Sequence, residues 1–512
     1  MADAAAAAPG APLARWGKLI DHGRCIGCHA CSTACKSENR VPLSVNRTYV
    51  KYVDVGAFPQ ARRAFQVTRC NQCEQPPCVA ICPTAAMHRR QDGIVDFDKS
   101  ICIGCKACIA ACPYDAIFIN PEDHSAEKCN FCAHRIDMGL EPACVVVCPA
   151  EAILVGDLDD PESAVGGLVA RTATTVRRPE KGTRPKLFYQ GAHQATLDPL
   201  AARRPDGGQF IWSEQGSVSH QLTSGTPGPI NGSAPAVLAY DVPHRMPWDW
   251  RVSLYTWTKG IAAGAYLVPM LLVALGGLPE SSALWQWAAP VVAGLFLALT
   301  GLILIADLDH PERFYLLFTR PRWNSWLVRG GVIISLYGLV LAGHFGASLT
   351  GRSSVQRALM TPGVPLAVLT AVYTAYLLAQ ARARDFWQNP LLVPQFVVQA
   401  VMAGSAATLL LAGWIEPQAH RVLAAVTAGA SLLHVLIVAG EAGVVHPTSH
   451  AELAGHIMLS GRYASLFWAA VILMTVGAAA PWAGSMAALL ALGGLLAYEH
   501  AYVQSGQSVP LA

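Results

Sequence analysis

Charged residues are scarce in this sequence. Lys, Arg, Asp and Glu make up 14% of its 512 residues, whereas apolar residues make up 53%. This balance excludes an ordinary soluble protein, in which about a quarter of the residues are charged. The net charge is only +3 and is spread along the chain, so the sequence gives no indication of nucleic-acid binding.

The sequence also lacks the features of an exported enzyme. Residues 1–15 are rich in Ala and Pro but contain neither a continuous apolar core nor a cleavage pattern, and no twin-arginine pair appears there. We expect this segment to be disordered. No nucleophile–base constellation, phosphate-binding loop or molybdopterin-type domain is evident in the chain. We therefore expect any substrate to be handled by another protein.

Cysteine is absent from most of the chain and concentrated in one region. All sixteen cysteines form four groups of four: Cys25, Cys28, Cys31, Cys35; Cys70, Cys73, Cys78, Cys82; Cys102, Cys105, Cys108, Cys112; and Cys129, Cys132, Cys144, Cys148. The spacing C-x2-C-x2-C-x3-C-P is typical of bacterial ferredoxins, which hold cubane iron–sulfur clusters. Sixteen ligands at four per cluster predict four [4Fe-4S] clusters with no cysteine left over.

Other uses of these cysteines fit the pattern less well. Disulfides are disfavoured because C-x2-C pairs are too close for structural bridges and no leader indicates an oxidising compartment. Zinc sites would give paired C-x2-C knuckles instead of four-cysteine runs that end in C-P. The first and fourth groups are the least regular. Lys36 replaces the proline after Cys35, and eleven residues separate Cys132 from Cys144.

The soluble part of the chain divides at about residue 155. We expect residues 16–155 to form an α+β ferredoxin-like domain with brief strands at Gly93–Phe97 and Ala116–Ile119. Residues 156–247 are rich in Pro, Gly, Ser and charge, which predicts a loosely structured strap or linker. Thr223–Ser233 is typical of an extended segment, whereas Lys186–Gln190 has the composition of a patch that docks on the ferredoxin surface.

Residues 248–512 predict an all-α membrane domain with eight helices. The apolar segments have about the twenty residues that cross a bilayer as a helix. They are Leu254–Leu275, Trp287–Ala306, Trp326–Leu349, Val364–Ala381, Leu391–Gly413, Val422–Gly440, Ala464–Ala480 and Ser485–Val503. Small residues in the first and fifth segments favour close helix packing. They are Gly260, Ala263, Gly264, Ala403, Gly404 and Ala406.

The arginine distribution predicts the orientation of this domain. An even number of spans places the ferredoxin domain and the C-terminus on one side. Seven loop arginines lie on that side (Arg313, Arg320, Arg322, Arg329, Arg382, Arg384 and Arg462) and three on the other (Arg352, Arg357 and Arg421). The positive-inside rule then favours a cytoplasmic ferredoxin domain and a multi-pass protein of the inner (plasma) membrane. The same arginines are also compatible with a docking surface.

Polar side chains within the spans are candidates for function because each is costly in hydrocarbon. Lys259, the only lysine after Lys186, lies one turn into the first span, where it either snorkels or serves a quinone or a proton path. Asp307 closes the second span and either pairs with an arginine or accepts protons from a quinol. Further candidates are Tyr373, Tyr376, His434, Glu441, Tyr498, Glu499 and His500. The intramembrane histidines show no ligating arrangement, so no haem is predicted.

Each of the two parts of the chain resembles a known family of proteins. Through its cysteine groups, the first part of the chain resembles the four-cluster electron-transfer subunits of dimethyl sulfoxide, polysulfide and sulfite molybdo-oxidoreductases. The membrane part resembles the NrfD/polysulfide-reductase-type quinone-reactive subunit. It does so through Gly260-Ile-Ala-Ala-Gly-Ala-Tyr266, Asp307-x3-Pro-Glu-Arg-Phe314, Tyr373-Thr-Ala-Tyr-Leu-Leu378, Phe386-Trp387 and Asn389-Pro390. These halves are usually separate subunits, so the chain resembles a fusion.

The resemblance implies which residues act together. Nested clusters would combine Cys25, Cys28 and Cys31 with Cys148; Cys129, Cys132 and Cys144 with Cys35; Cys70, Cys73 and Cys78 with Cys112; and Cys102, Cys105 and Cys108 with Cys82. It also implies a haem-free quinone site formed by Lys259, Asp307 and Tyr373, with Tyr255 behind them.

The resulting hypothesis is a subunit of an oxidoreductase complex, with a quinone redox site here and the substrate site on a partner. It would pass electrons between a molybdopterin-containing catalytic subunit and menaquinone or ubiquinone in the bilayer. Other possibilities are the quinone-coupling subunit of a hydrogenase or formate dehydrogenase, or part of a quinol-oxidising complex with a multihaem cytochrome. A membrane scaffold or transporter with structural clusters is a different class of protein, disfavoured because four clusters exceed a structural need.

Overall fold

The computed structural model describes residues 14–56, 59–203 and 236–512. Their contacts divide the chain into two compact units. The first unit contains the described residues up to Pro247 together with Ala381–Ala383 and Val509–Ala512, and the second contains Trp248–Gln380 and Arg384–Ser508. The predicted fold class is confirmed, because an α+β unit precedes a helical one.

The strands of the first unit form two three-stranded sheets and two hairpins. They are β1 (Trp16–Asp21), β2 (Thr48–Val55), β3 (Arg62–Arg69), β4 (Met87–Arg89), β5 (Val95–Phe97), β6 (Ile117–Ile119), β7 (Ala126–Lys128), β8 (Ile153–Asp157), β9 (Leu187–Gln190) and β10 (Ala236–Tyr240). The sheet orders are β8-β1-β9 and β10-β2-β3, and β4-β5 and β6-β7 form the hairpins. Each hairpin connects two successive cysteine groups: β4-β5 lies between the second and third groups, and β6-β7 lies between the third and fourth.

Short helices of the first unit carry five of the sixteen cysteines. They are α1 (Ala30–Glu38), α2 (Pro77–Ile81), α3 (Ala107–Ala111), α4 (Ala133–Ile136), α5 (Ala143–Val146), α6 (Ala164–Arg171) and α7 (Gln194–Leu197). The residues before α1, α3 and α4 are His29, Lys106 and Cys132, and each has a left-handed backbone with φ of 61°, 60° and 55°. This uncommon conformation turns the chain sharply from the loop with the first cysteines of a group into the helix that follows.

The predicted strap differs from the structure over its described part. Strand β9 pairs in parallel with β1, and β10 pairs antiparallel with β2. The segment Lys186–Gln190, predicted to dock on the ferredoxin surface, is therefore attached to it as a strand of a sheet. Composition did not reveal this because edge strands are held by backbone hydrogen bonds, which any residue except proline can make. Thr223–Ser233 lies outside the described residues.

The N-terminal prediction differs from the structure at Ala14 and Arg15, which the structure describes. Residues 1–13 lie outside the described part of the chain, but Arg15 is ordered. Its guanidinium pairs with the carboxylates of Glu74 and Asp159. Arg15 is therefore part of the first unit, although the sequence predicts that it lies in the disordered segment.

The second unit consists of helices. They are α8 (Trp250–Ala274), α9 (Ala289–Ala306), α10 (Leu316–Thr319), α11 (Trp326–Leu349), α12 (Ser353–Gln380), α13 (Leu392–Ile415), α14 (His420–Gly443), α15 (Ser449–Leu459), α16 (Ala464–Gly477), α17 (Ala480–Ala483) and α18 (Ser485–Ser508). Among the described residues, seven helices are long and apolar enough to span a bilayer. An eighth span requires α15 and α16 together, and they are bent by 70° at their junction. The chain is thus a multi-pass membrane protein.

The small residues of the first and fifth predicted spans do lie at a close helix contact, and the structure shows that these two spans are each other's partners. A Cβ atom on Gly264 of α8 would lie 1.7 Å from the carbonyl oxygen of Ala400 on α13, and one on Gly404 would lie 1.9 Å from the carbonyl carbon of Gly264. The two backbones therefore touch. In a membrane, where no hydrophobic effect drives helices together, such close contact supplies the packing energy.

Candidate thiol clusters and membrane-embedded site

Two sets of four thiols each line a cavity in the first unit. Cys25, Cys28, Cys31 and Cys148 line one cavity. Cys82, Cys102, Cys105 and Cys108 line a second one. Each set combines three cysteines of one group with the last cysteine of another.

The remaining eight cysteines lie in two further sets. The thiol of Cys35 is within electrostatic range of those of Cys129, Cys132 and Cys144. The Asn39 amide bridges two of them, at 3.7 Å from Cys35 Sγ and 3.6 Å from Cys132 Sγ. The thiol of Cys78 is similarly close to those of Cys70, Cys73 and Cys112.

The donor set fits iron–sulfur clusters better than a single metal ion. Within residues 14–56, 59–203 and 236–512, no three His, Cys, Asp or Glu side chains converge as ligands of one ion would. Each thiolate of a cubane binds a different iron atom, so cluster ligands are spaced more widely. Four thiols around a cavity, all soft sulfur donors, are the arrangement that such a cluster needs.

The electrostatic environment differs among these thiols. Burial raises the pKa of Cys35 to about 12, and the neighbouring thiols act in the same direction. Burial also raises the pKa of Cys144, but the charges of Arg69 and Lys18 outweigh it and lower that pKa to about 7. Two buried cations therefore act at one thiol set. Sequence reasoning missed both residues, although Arg69 directly precedes the second cysteine group.

Lys259 is the most enclosed charged group of the membrane unit, with 0% exposure. Its ammonium donates hydrogen bonds to Thr374 Oγ1 at 2.6 Å and to the Ala371 carbonyl oxygen at 2.9 Å. It also lies 4.8 Å and 4.6 Å from the ring centroids of Tyr373 and Phe396. The side chain points into the helix bundle, so it does not snorkel to the membrane surface.

Among the other predicted quinone residues, Tyr373 contacts Lys259 directly, and Tyr255 and Asp307 extend the group from Tyr373. Tyr255 is within electrostatic range of Tyr373, Asp307 and Glu499, and Glu499 also interacts with Lys259. The structure therefore brings together all four residues named from the sequence. Glu499 belongs to the same group and supplies a negative charge for the buried lysine, since isolated charges are costly within a membrane.

The remaining polar candidates of the spans lie in other contacts. His434 is 3.1 Å from the Gln399 amide, and Glu441 accepts a hydrogen bond from Asn389 at 2.7 Å. Tyr376 stacks on Trp326 with ring centroids 4.3 Å apart and is partly exposed. These residues have packing and hydrogen-bonding partners of their own.

A cysteine-rich unit joined to a set of membrane-spanning helices defines a membrane-bound iron–sulfur electron-transfer protein. The family model described as a 4Fe-4S dicluster domain matches residues 62–158, and the one described as polysulphide reductase, NrfD, matches residues 241–487.

Relatives of known name match the first part of the chain. A tetrathionate reductase subunit of Salmonella typhimurium is 42% identical over 213 residues, which cover 40% of this chain and 82% of the relative. A polysulfide reductase subunit of Wolinella succinogenes is 44% identical over 177 residues, 34% of this chain and 93% of the relative. A putative dimethyl sulfoxide reductase iron–sulfur subunit of Halobacterium salinarum is 42% identical over 222 residues, 38% and 85% of the two chains. The chain belongs to this family of iron–sulfur subunits and carries an NrfD domain in addition.

Proposed function

We propose that the protein passes electrons through four [4Fe-4S] clusters between a partner's molybdopterin-containing catalytic subunit and a quinone in the membrane. The names of its relatives support a reductase complex, and the NrfD match supports a membrane partner for the electrons. The observation that carries the proposal is the pairing, in one chain, of four four-thiol sets with a buried Lys259 site. The fusion keeps the two at a one-to-one ratio.

The sixteen cysteines are proposed to act as four nested sets. Each cluster, when bound, carries one electron at a time. The protein contributes the thiolates, the spacing and the charges around them. Helices α2 and α3 of the second and third groups pack against each other, and hairpin β4-β5 connects these groups. This packing supports the pairing of Cys112 with Cys70, Cys73 and Cys78.

Lys259, Asp307, Tyr373 and Tyr255 are proposed to form the quinone site. The Lys259 ammonium would donate a hydrogen bond to a quinone carbonyl, while Glu499 balances its charge. Asp307, at the end of α9, would exchange protons with solvent, since a quinone takes up two protons with two electrons. Tyr373 and Tyr255 would enclose the ring. On the arginine distribution, the thiol-rich unit is proposed to face the cytoplasm from the plasma membrane.

Substitution at Tyr373 and Lys259 tests the quinone site. Lys259→Met removes a charged hydrogen-bond donor, which is worth about 1.5–3 kcal/mol, so kcat/KM for a quinol analogue should fall by at least about tenfold. Tyr373→Phe should also lower it, while Tyr376→Phe in the same motif should not, because Tyr376 packs on Trp326. Activity is measured in the purified whole protein by reduction of its clusters.

Iron and sulfide content is the control for that experiment. All three variants should retain the iron of four clusters, so that a change in kinetics reports on the membrane unit alone. Unchanged kinetics in Lys259→Met would remove Lys259 from the site. Iron for two clusters or fewer in the unmodified protein would contradict the electron-transfer proposal itself.

A further inference from the structure

Arg69 is a buried cation that the cysteine pattern does not explain. It is the last residue of β3, opposite Thr48 of β2, and only 1% of it is exposed. Its Nη1 atom donates a hydrogen bond to Cys144 Sγ at 3.0 Å. The residue therefore reaches from the strand before the second cysteine group to a thiol of the fourth.

The rest of the guanidinium faces the thiols without a carbonyl or carboxylate partner. Its Nε and Nη2 atoms have no hydrogen-bond partner among the described residues. The groups that interact with it most strongly are the thiols of Cys144, Cys31 and Cys129. Burying a guanidinium costs much free energy unless a negative charge lies nearby. Thiolates at these three cysteines would supply that charge. Cys31 belongs to one four-thiol set and Cys129 and Cys144 to another, so Arg69 lies between the two.

A second buried cation acts at the same thiol. Lys18 of β1 is 3% exposed, and its Nζ atom lies 3.8 Å from Cys144 Sγ and 4.2 Å from the ring centroid of Phe131. Lys128, a buried lysine whose charge acts on Cys70 and Cys78, differs because its ammonium donates to the carbonyl oxygens of Val95 and Cys129. The charge around the thiol sets is therefore uneven.

We propose that Arg69, assisted by Lys18, sets the reduction potentials of two neighbouring clusters. It raises that of the cluster held by Cys35, Cys129, Cys132 and Cys144 and, to a smaller extent, that of the cluster held by Cys25, Cys28, Cys31 and Cys148. Each cluster gains one negative charge when it accepts an electron. A fixed positive charge in a poorly polarisable interior stabilises that reduced form, as do N–H groups that donate to the sulfurs. The inference rests on the proposed cluster assignment, and Arg69 is a tuning residue that takes no part in ligation.

A redox titration of the whole protein, followed by electron paramagnetic resonance, tests this role. In Arg69→Gln we expect one cluster midpoint to shift downward clearly and a second to shift less, with the other two unchanged. Arg69→Lys keeps the charge and should restore most of the larger shift. Arg63→Gln is the matched control on the same strand, because Arg63 is partly exposed and pairs with Asp54 at 2.7 Å. It should leave all midpoints unchanged, since solvent screens its charge.

Lys18→Met provides an independent variant if Arg69→Gln does not assemble its clusters. It should lower the midpoint of the same cluster that responds most to Arg69. The inference is overturned if every Arg69 and Lys18 variant that assembles four clusters, as judged by its iron content, has unchanged midpoints. That result would leave the proposed function intact. Iron for two clusters or fewer in the unmodified protein would instead contradict the proposed function. A shift of all four midpoints by the same amount would show a general change in folding and also overturn the tuning role.

Discussion

His244 of the first unit lies between two carboxylates. Its Nδ1 atom pairs with Asp115, and its Nε2 atom lies 3.1 Å from Asp241 Oδ1. Burial lowers the pKa of the imidazole, but the charges of Asp241 and Asp115 outweigh it and raise the pKa to about 9. The residue thus links the segment after β10 to the turn after Cys112.

The charge of His244 should make this attachment depend on pH. Because its folded pKa is above the ordinary value, its stabilising contribution is complete below about pH 6.5 and is lost as the pH rises through about 9. The full effect is on the order of 3 kcal/mol. Hydrogen exchange of Ala236–Tyr240 should therefore be faster in His244→Gln than in the unmodified protein at about pH 6.5. At about pH 10 the two should agree.

His124→Gln is the control for this measurement, because His124 is an exposed histidine of the same unit. It should exchange like the unmodified protein at both pH values. An equal difference between His244→Gln and the unmodified protein at both values would mean that shape, and not charge, is what His244 contributes.

At the level of elements, the crossing of α8 and α13 holds the membrane unit together where its backbones touch. Gly264 and Gly404 have no room for a Cβ atom, and the atoms in the way belong to backbone. Backbone cannot turn aside as a side chain can. The approach places Lys259 of α8 close to Phe396 of α13, so helix packing and the candidate site depend on the same crossing.

Alanine at the crossing should destabilise the membrane unit. In Gly264→Ala the helices must separate, at a cost of about 1–3 kcal/mol or more, so the midpoint of thermal unfolding in detergent should fall. Gly260→Ala, one turn earlier on α8, should leave the midpoint unchanged or raise it. Apart from its chain neighbours and the backbone of its own helix, no described atom lies within 4 Å of the added carbon, and alanine favours a helix. Equal midpoints for the two variants would show that the crossing is looser than described.

For the whole molecule, the thiol sets connect parts of the first unit that are far apart in sequence. The set of Cys25, Cys28, Cys31 and Cys148 brings the loop after β1 beside the residues before β8, and Cys35 lies near Cys129. Metal bonds across such long loops stabilise a fold because they restrict the unfolded chain. The second unit is held by helix packing instead.

Removal of iron should therefore affect the two units differently. After treatment with a chelator and an oxidant, we expect protease cleavage within the first unit to increase severalfold, while the spanning helices remain protected in detergent. Peptide mapping by mass spectrometry of treated and mock-treated protein measures both. Cleavage that increases equally in both units, or in neither, would contradict independent stabilisation.

Part of the architecture could be predicted because it is encoded in local composition. Ligand type and spacing identify iron–sulfur clusters whatever the rest of the fold does, and long apolar runs identify spans by length alone. The bend between α15 and α16 could not be predicted from composition. The seventh predicted segment, Ala464–Ala480, contains a helix that ends at Gly477 and needs α15 to complete a span. The sequence predicts only a surface patch at β9, because the pairing of that strand with β1 depends on a partner distant in sequence.

The residue types alone indicate an iron–sulfur cofactor for the first part of the chain and a lipid environment for the second. They can do so because metal binding by thiols and the transfer of apolar side chains into lipid are properties of individual residues. Which of these residues meet depends on the three-dimensional fold. Arg69 reaches Cys144 because β3 ends beside α5, and Lys259 gains Thr374 and Glu499 because α8 packs between α12 and α18. The role of these charged residues depends on neighbours that are distant in sequence, and a local sequence pattern contains no information on such neighbours.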